Sequence, residues 1–313
     1  MANSIVFPAD PFEPRKVDEE FQHEARLVKE LGGQVVLVDH TELENGIFVG
    51  KNILTKAKAQ EYTSASTKSE RENLQDMFPA SAIFGENAFY RGWMLSKDAY
   101  QLMYEELSSR TIGMFATPDD YMAGYWLSGW YEYFRSVTPA SIFMSVEEFE
   151  ASADTTDFVE RVGTWLGHGS YIVKDQVKSR KSDWDTACFA PDYEKLPAIA
   201  REFIRLQGDF LAGGLVIREF EEFDKAMGET RVWWVNNEPV FQSPHPDNPN
   251  SFTAVDVSFL QDYVNDFNRP FITTDLALRT DGTWRVMEVS DGQVSGTPRG
   301  FDASALFEAL LGA

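Results

Sequence analysis

Apolar residues along this chain follow two rhythms, short unbroken runs and a spacing of three and four, and their alternation sets the expected elements. SIVFPAD near the start reads as a short strand. VDEEFQHEARLVKEL then places Val17, Phe21, Ala25, Val28 and Leu31 on one face of a helix, and Gly32-Gly33 supplies a stop. QVVLVDH is an uninterrupted apolar run of the kind found in buried parallel strands. Strand, helix and strand within about 40 residues predict a βαβ opening.

Residues 55–75, TKAKAQEYTSASTKSERENLQ, are polar and rich in Ser, Thr and Lys, which predicts an exposed loop or a surface helix. Aromatics then crowd into FYRGWML (89–95) and YMAGYWLSGWYEYF (121–134). Large aromatics usually fill cores, so helical core is the first reading of this cluster and a substrate-facing wall the second. Arg91, between Tyr90 and Trp93, is the one residue there that stands out from the apolar pattern.

From about residue 145 the pattern turns to α+β. SVEEFEASADTTDFVERVGTWL predicts a helix, GSYIVKD a strand ending in lysine, EKLPAIAREFIRLQGDFL an amphipathic helix, and GGLVIREFEEF another strand. TRVWWVNNEPVFQSP predicts a hairpin turning at Asn236-Asn237, ahead of the proline-rich loop PHPDNPN. DVSFLQDYVNDFN and ASALFEALLG are helical. A soft boundary near VTPAS divides the chain into 1–140 and 141–313.

Between those last two helices, TTDLALRTDGTWRVMEVSDGQ (273–293) holds two alternating runs joined by Asp281-Gly282, a strong signal for a two-residue hairpin turn. That turn puts Asp275 opposite Glu288. Paired carboxylates with Cβ atoms roughly 5 Å apart repel and weaken the ladder. A cation between them turns repulsion into coordination, and Mg²⁺ uses one or two carboxylates together with phosphate oxygens. Asp291, at the strand end, is the third oxygen ligand of this reading. The alternative is a hairpin whose acids face water. A three-residue loop with a bulge would shift the pairing by one and send Glu288 to the other face.

Positive charge concentrates in YIVKDQVKSRKSDW, where Lys174 ends an apolar strand and Lys178, Arg180 and Lys181 follow. With 50 acids against 28 bases and a formal net charge of −22, such a cluster is conspicuous. A lysine at a strand end serves as a point charge for phosphate, and a solvated basic turn is the alternative for the residues after it. Arg218 and Arg231 lie inside strand-like sequence, where the arginine fork suits phosphate or carboxylate, including the neighbouring glutamates.

The acidic balance argues against nucleic acid and anionic membrane as partners. No run approaches the ~18 apolar residues of a membrane span. One cysteine, Cys188, excludes an intrachain disulfide framework, and the start lacks a basic segment followed by an apolar one, so a reducing cytoplasm is the expected location. His23, His40, His168 and His245 show no ligand spacing, and there is neither a G-x-S-x-G elbow nor a P-loop.

A strand lysine, a second strand carrying Arg and Glu, an arginine in the following hairpin and an acid-bearing terminal hairpin resemble, in that order, the ATP-grasp superfamily. VMEVSDGQVSG after TTDLALRTDG, with the opening IVFPADPFEPRKVDEEF, looks most like the clade named for one arginine and two lysines. The resemblance implies an α/β and α+β architecture: an N-terminal βαβ pre-ATP-grasp domain, and an ATP-grasp domain whose lobes, about 141–215 and 216–313, grip ATP. It implies an ATP- and Mg²⁺-dependent ligase that joins a small-molecule or peptide carboxylate to an amine through an acyl phosphate, releasing ADP and phosphate. Lys174 would touch the α- and β-phosphates, with Lys178 as second lysine. Glu219, Phe220 and Glu221 would form the adenine-binding link. Arg218 and Arg231 would contact phosphate or the acyl phosphate, and Asp275, Glu288 and Asp291 would hold Mg²⁺. A phosphotransferase, or an ATP-binding protein without turnover, is the alternative on the same fold. Two departures stand out: Asp291 where many members have Asn, and KDQVKSRKSDW where many have a glycine-rich phosphate loop.

Overall fold

The apolar runs become the inner strands of three sheets in a computed structural model that describes residues 4–65, 67–69 and 87–313. The first sheet takes β1 (Ser4–Pro8), β2 (Gln34–Val38), β3 (Gly50–Lys51), β4 (Asn87–Tyr90) and β5 (Gly113–Met114) in the order β3-β2-β1-β4-β5. β1 is buried at every position because parallel partners flank it on both sides, β2 and β4. The helix Gln22–Glu30 makes the crossover, and Gly32 at φ +83° ends it in the left-handed region open to glycine. A Cβ on Gly33 would meet Leu311 at 2.5 Å, so that glycine lets the last helix, Ser304–Gly312, dock.

One core cluster therefore joins Ile5, Phe7 and Val28 to Leu306, Phe307 and Leu310 of that helix. Each such side chain contributes about 1.5–3 kcal/mol when fully buried. Of the polar stretch 55–75, Lys56–Ser64 is a helix and 65 and 67–69 are also described; residues 66 and 70–75 lie outside the described residues.

The second sheet holds β6 (Ser141–Met144), β7 (Tyr171–Asp175), β8 (Phe189–Ala190) and β9 (Leu215–Glu219) in the order β6-β9-β7-β8. The stretch expected as one helix before β7 is two, Val146–Ser152 and Thr156–Leu166, because Ser145 with Glu148 and then Thr155 each cap a helix start. The third sheet holds β10 (Glu229–Val235), β11 (Glu238–Pro244), β12 (Phe271–Leu278) and β13 (Trp284–Asp291) in the order β11-β10-β12-β13. Asn236 and Asn237, both at positive φ (49° and 67°), make the expected tight turn between β10 and β11.

The terminal hairpin reaches its expected pairing by an unexpected route. Its turn is three residues, Thr280 to Gly282, with Arg279 N–H bonded to Thr283 O at 2.8 Å, rather than the Asp281-Gly282 pair. The ladder therefore starts one residue out of step, Leu278 against Trp284. A bulge between Asp275 and Leu276 takes up Met287 and restores the register, so Asp275 does lie opposite Glu288.

The aromatic cluster is mostly core, but not all helical. Phe89 and Tyr90 belong to β4, a central strand buried between parallel neighbours. Residues 121–134 form two short helices, Pro118–Tyr125 and Leu127–Phe134, broken at Trp126. Trp130 and Phe134 are buried there against Val232 and Trp234 of β10.

Arg91 is partnered from within the protein. It is 1% exposed, donates Nε and Nη2 to Glu24 at 3.1 and 2.7 Å, and gives Nη1 to the carbonyls of Gly292 and Ser295 at 2.6 and 2.7 Å. It also lies over the Trp233 ring at 5.3 Å. A buried charge this completely partnered is a staple between the first sheet and the chain after β13.

Candidate functional site

Strand alternation aims one face of the second sheet at the third. On β7, Tyr171 and Val173 join the core beneath the sheet, which leaves Ile172 and Lys174 on the opposite face. Arg218 of β9 pairs with Ile172 and so shares that face. Across from them stand Arg231 of β10, Asp275 of β12 and Glu288 of β13, and these side chains enclose a cleft of about 370 Å³.

The cations of the second sheet are short of partners. The Lys174 ammonium has no hydrogen-bond or ion-pair partner among the described residues, and burial pushes it below the usual lysine value while Glu288 pulls the other way. Arg218 gives Nη1 to Met287 O at 2.8 Å and Nη2 to Thr138 Oγ1 at 2.6 Å, but its buried Nε has no partner. Burial pushes this guanidinium down to about 10. A buried donor without an acceptor costs roughly 1–3 kcal/mol, a cost that falls on Arg218 Nε, while the half-buried Lys174 ammonium opens on the same cleft.

Lys178 does not line the cleft; Lys181 does. Asp175 explains the difference: its Oδ1 accepts from the N–H groups of Val177 and Lys178 at 2.8 and 2.6 Å, a tight turn that carries Lys178 outward. Arg180 is held by Asp183, with Nε to Oδ2 at 2.9 Å. The end of β9 and the link after it contribute Glu219, Phe220 and Glu221 to the lining. Glu221, however, is clamped by Arg285, with Nη2 to Oε1 at 2.7 Å and Nε to Oε2 at 2.9 Å, so its carboxylate already has a cation. Beside the link, Trp184 stacks on Phe189 at 5.3 Å and 6°, and Phe220 meets Phe189 edge-on at 5.0 Å. Trp184, Phe220 and Ile172 give the cleft a flat apolar side suited to a purine ring.

The three acids do not converge. Asp275 and Glu288 share a face, but Asp291, three residues on along a strand, lies on the other. Its carboxylate accepts from Gln293 N–H at 2.8 Å, and burial pushes it up to about 8. The third oxygen on the Glu288 face is the hydroxyl of Ser290, 3.0 Å from Glu288 Oε1, a residue that period-two counting from Glu288 identifies. Among the described residues no group of three or more His, Cys, Asp or Glu is disposed to hold a metal ion alone. The donor set, two carboxylates and a hydroxyl, still fits Mg²⁺, which keeps waters and takes phosphate oxygens.

Glu229 and His245 complete the far end of the cleft, and no motif or spacing in the sequence marks either of them. Glu229 precedes Arg231 by two and faces the same way, and burial raises its carboxyl above the usual range. His245 comes from the proline-rich loop, with Nε2 3.5 Å from Asp275 Oδ2. No helix among the described residues is long and apolar enough to cross a membrane.

The second and third sheets face each other across this cleft, and the fold is that of ATP-grasp proteins. Within it, residues 162–310 match a family of ATP-grasp domains, the third family of the clade named for one arginine and two lysines. Solved structures agree over nearly the whole chain. A RimK domain ATP-grasp protein from Sphaerobacter thermophilus superposes with a TM-score of 0.56 at 12% identity, covering 99% of this chain and 100% of that one. The ATP-grasp ligase PsnB, in complex with its precursor peptide PsnA2 and AMPPNP, gives 0.56 at 12% identity, covering 99% and 97%. N5-carboxyaminoimidazole synthetase from Staphylococcus aureus, complexed with ADP, gives 0.52 at 12% identity, covering 99% and 77%. No curated protein matches the sequence.

Proposed function

We propose that this protein is an ATP- and Mg²⁺-dependent ligase that joins a carboxylate to an amine. The observation that carries the reading is one cleft in which uncompensated Lys174 and Arg218 face paired carboxylates Asp275 and Glu288. The link at Glu219 and Phe220, with Trp184, would receive the base, and Lys174, Lys181 and Arg218 the phosphates. Asp275, Glu288 and Ser290 would hold the metal ion, which supplies charge neutralisation on the triphosphate.

In the reaction a substrate carboxylate oxygen attacks the γ-phosphorus and ADP leaves. The amine nitrogen then attacks the acyl carbon of the acyl phosphate, inorganic phosphate leaves, and the amine loses a proton. Phosphoryl transfer needs positioning and charge neutralisation more than a protein nucleophile, which suits a cleft lined by cations. The ATP-grasp family match and the ligase neighbour that binds a peptide precursor support the assignment.

The test is product analysis with ATP, Mg²⁺ and pooled amino acids and peptides. ADP with stoichiometric free phosphate is expected. AMP and pyrophosphate would exclude the acyl-phosphate route, and ADP with a stable phosphorylated product would make the protein a phosphotransferase instead.

A further inference from the structure

The acidic wall of the cleft already has a cation of its own. Arg231 lies opposite Asp275 on the neighbouring strand and donates Nε to Oδ1 and Nη2 to Oδ2, both at 2.8 Å. The pair is nearly closed to water, with side chains 8% and 2% exposed. Nη1 of the same guanidinium reaches the Gly296 carbonyl at 3.0 Å. The repulsion between Asp275 and Glu288 is thus relieved from within the protein. Glu288, by contrast, is met by the neutral hydroxyl of Ser290.

A bidentate guanidinium takes a lone pair from each carboxylate oxygen, and a divalent ion placed beside it adds like-charge repulsion that little water screens. A triphosphate changes the balance, because it offers paired oxyanions that match the arginine fork. Arg231 lines the same cleft as Lys174 and Arg218, within one ligand's reach of both walls.

We propose that Arg231 is an exchangeable counter-ion: it holds Asp275 while the cleft is free of nucleotide, competes with the divalent ion for that carboxylate, and yields it when a triphosphate engages the guanidinium. Nucleotide and metal therefore load cooperatively, and each raises the affinity for the other by the same factor. This rests on the reading above that Asp275 and Glu288 hold the ion.

The experiment titrates Mn²⁺, detected as free ion by electron paramagnetic resonance, into the whole protein with and without a non-hydrolysable ATP analogue. Wild type should bind Mn²⁺ weakly alone and much more tightly with the analogue. Arg231→Gln should bind Mn²⁺ alone at least about tenfold tighter than wild type, as close charge pairs couple at least that strongly. It should also lose most of the analogue's enhancement. Arg231→Lys, which keeps the charge but presents one ammonium instead of a fork, should fall between. The tightening should vanish when Asp275→Asn is added to Arg231→Gln.

Circular dichroism establishes that each variant is folded, and Arg231→Lys decides the matter if Arg231→Gln is not. Folded variants that bind Mn²⁺ no tighter than wild type would overturn the exchange. The metal reading fails differently: wild type with the analogue would then bind Mn²⁺ no better than Glu288→Gln, and the proposal would fall with it.

Discussion

Arg91 and Arg218 are both more than nine-tenths buried, at 1% and 7% exposure, yet their surroundings are opposite. Arg91 has the Glu24 carboxylate and two carbonyls within 3.1 Å. Arg218 has a hydroxyl and two carbonyls, a Nε with no acceptor, and no carboxylate at ion-pair distance among the described residues. The first arrangement is what a charge needs in order to be structural; the second is what a charge looks like when its partner comes from outside. Burial alone does not separate them, and accounting for every donor does.

Substitutions can break or sharpen this contrast. The largest effect should come at the staple, where Arg91→Met strands Glu24 in the core and should lower unfolding free energy by about 3–5 kcal/mol, read from urea denaturation. Unchanged stability would dissolve the contrast. Glu288→Gln should act on turnover instead, with a fall of about 10–100-fold if it serves the metal, and a thermal midpoint equal to wild type because Arg231 already neutralises the facing Asp275. A marked drop in that midpoint in metal-free buffer would make Glu288 structural.

Asp291 gives a smaller, pH-dependent signal. Its folded value, about 8, lies above the ordinary 3.8, so between those values the folded protein holds a proton that the unfolded chain has lost. Stability should therefore decline as pH rises from about 4 to about 8, and Asp291→Asn should flatten that decline. An identical slope in the variant would place its origin elsewhere. The smallest effect belongs to Lys178→Ala, which should leave nucleotide affinity and stability within about 0.5 kcal/mol, since the side chain does not line the cleft. Lys181→Ala is the matched comparison and should weaken nucleotide binding.

Much of the fold is legible in the sequence wherever a local signal has one cause. Asn236-Asn237 accepts positive φ at both positions, so the tight turn lies where those residues predict it. The pairing of Asp275 with Glu288 follows from a two-residue turn on paper and from a three-residue turn in the molecule, and it stands only because a bulge at Met287 cancels the shift. Two compensating irregularities leave no separate trace in a hydrophobic pattern. Charge favours Asp291 over Ser290 as a ligand, although strand alternation puts 288 and 290, not 291, on one face. Proximity to Lys174 favours Lys178 over Lys181, because the Asp175 turn is a side-chain-to-backbone effect that spacing does not show. Arg91 looks available in sequence because its partner, Glu24, is 67 positions away.

The central claim is that Lys174 and Arg218 are held without a carboxylate partner so that a metal-bound triphosphate can supply the anion. Calorimetry with a non-hydrolysable ATP analogue, with and without Mg²⁺, on wild type and Lys174→Met tests it most directly. One molecule should bind per chain, more tightly with Mg²⁺, and the substitution should cost about tenfold or more in affinity while leaving the protein folded. Absent binding, or binding indifferent to both Mg²⁺ and Lys174, would contradict the account.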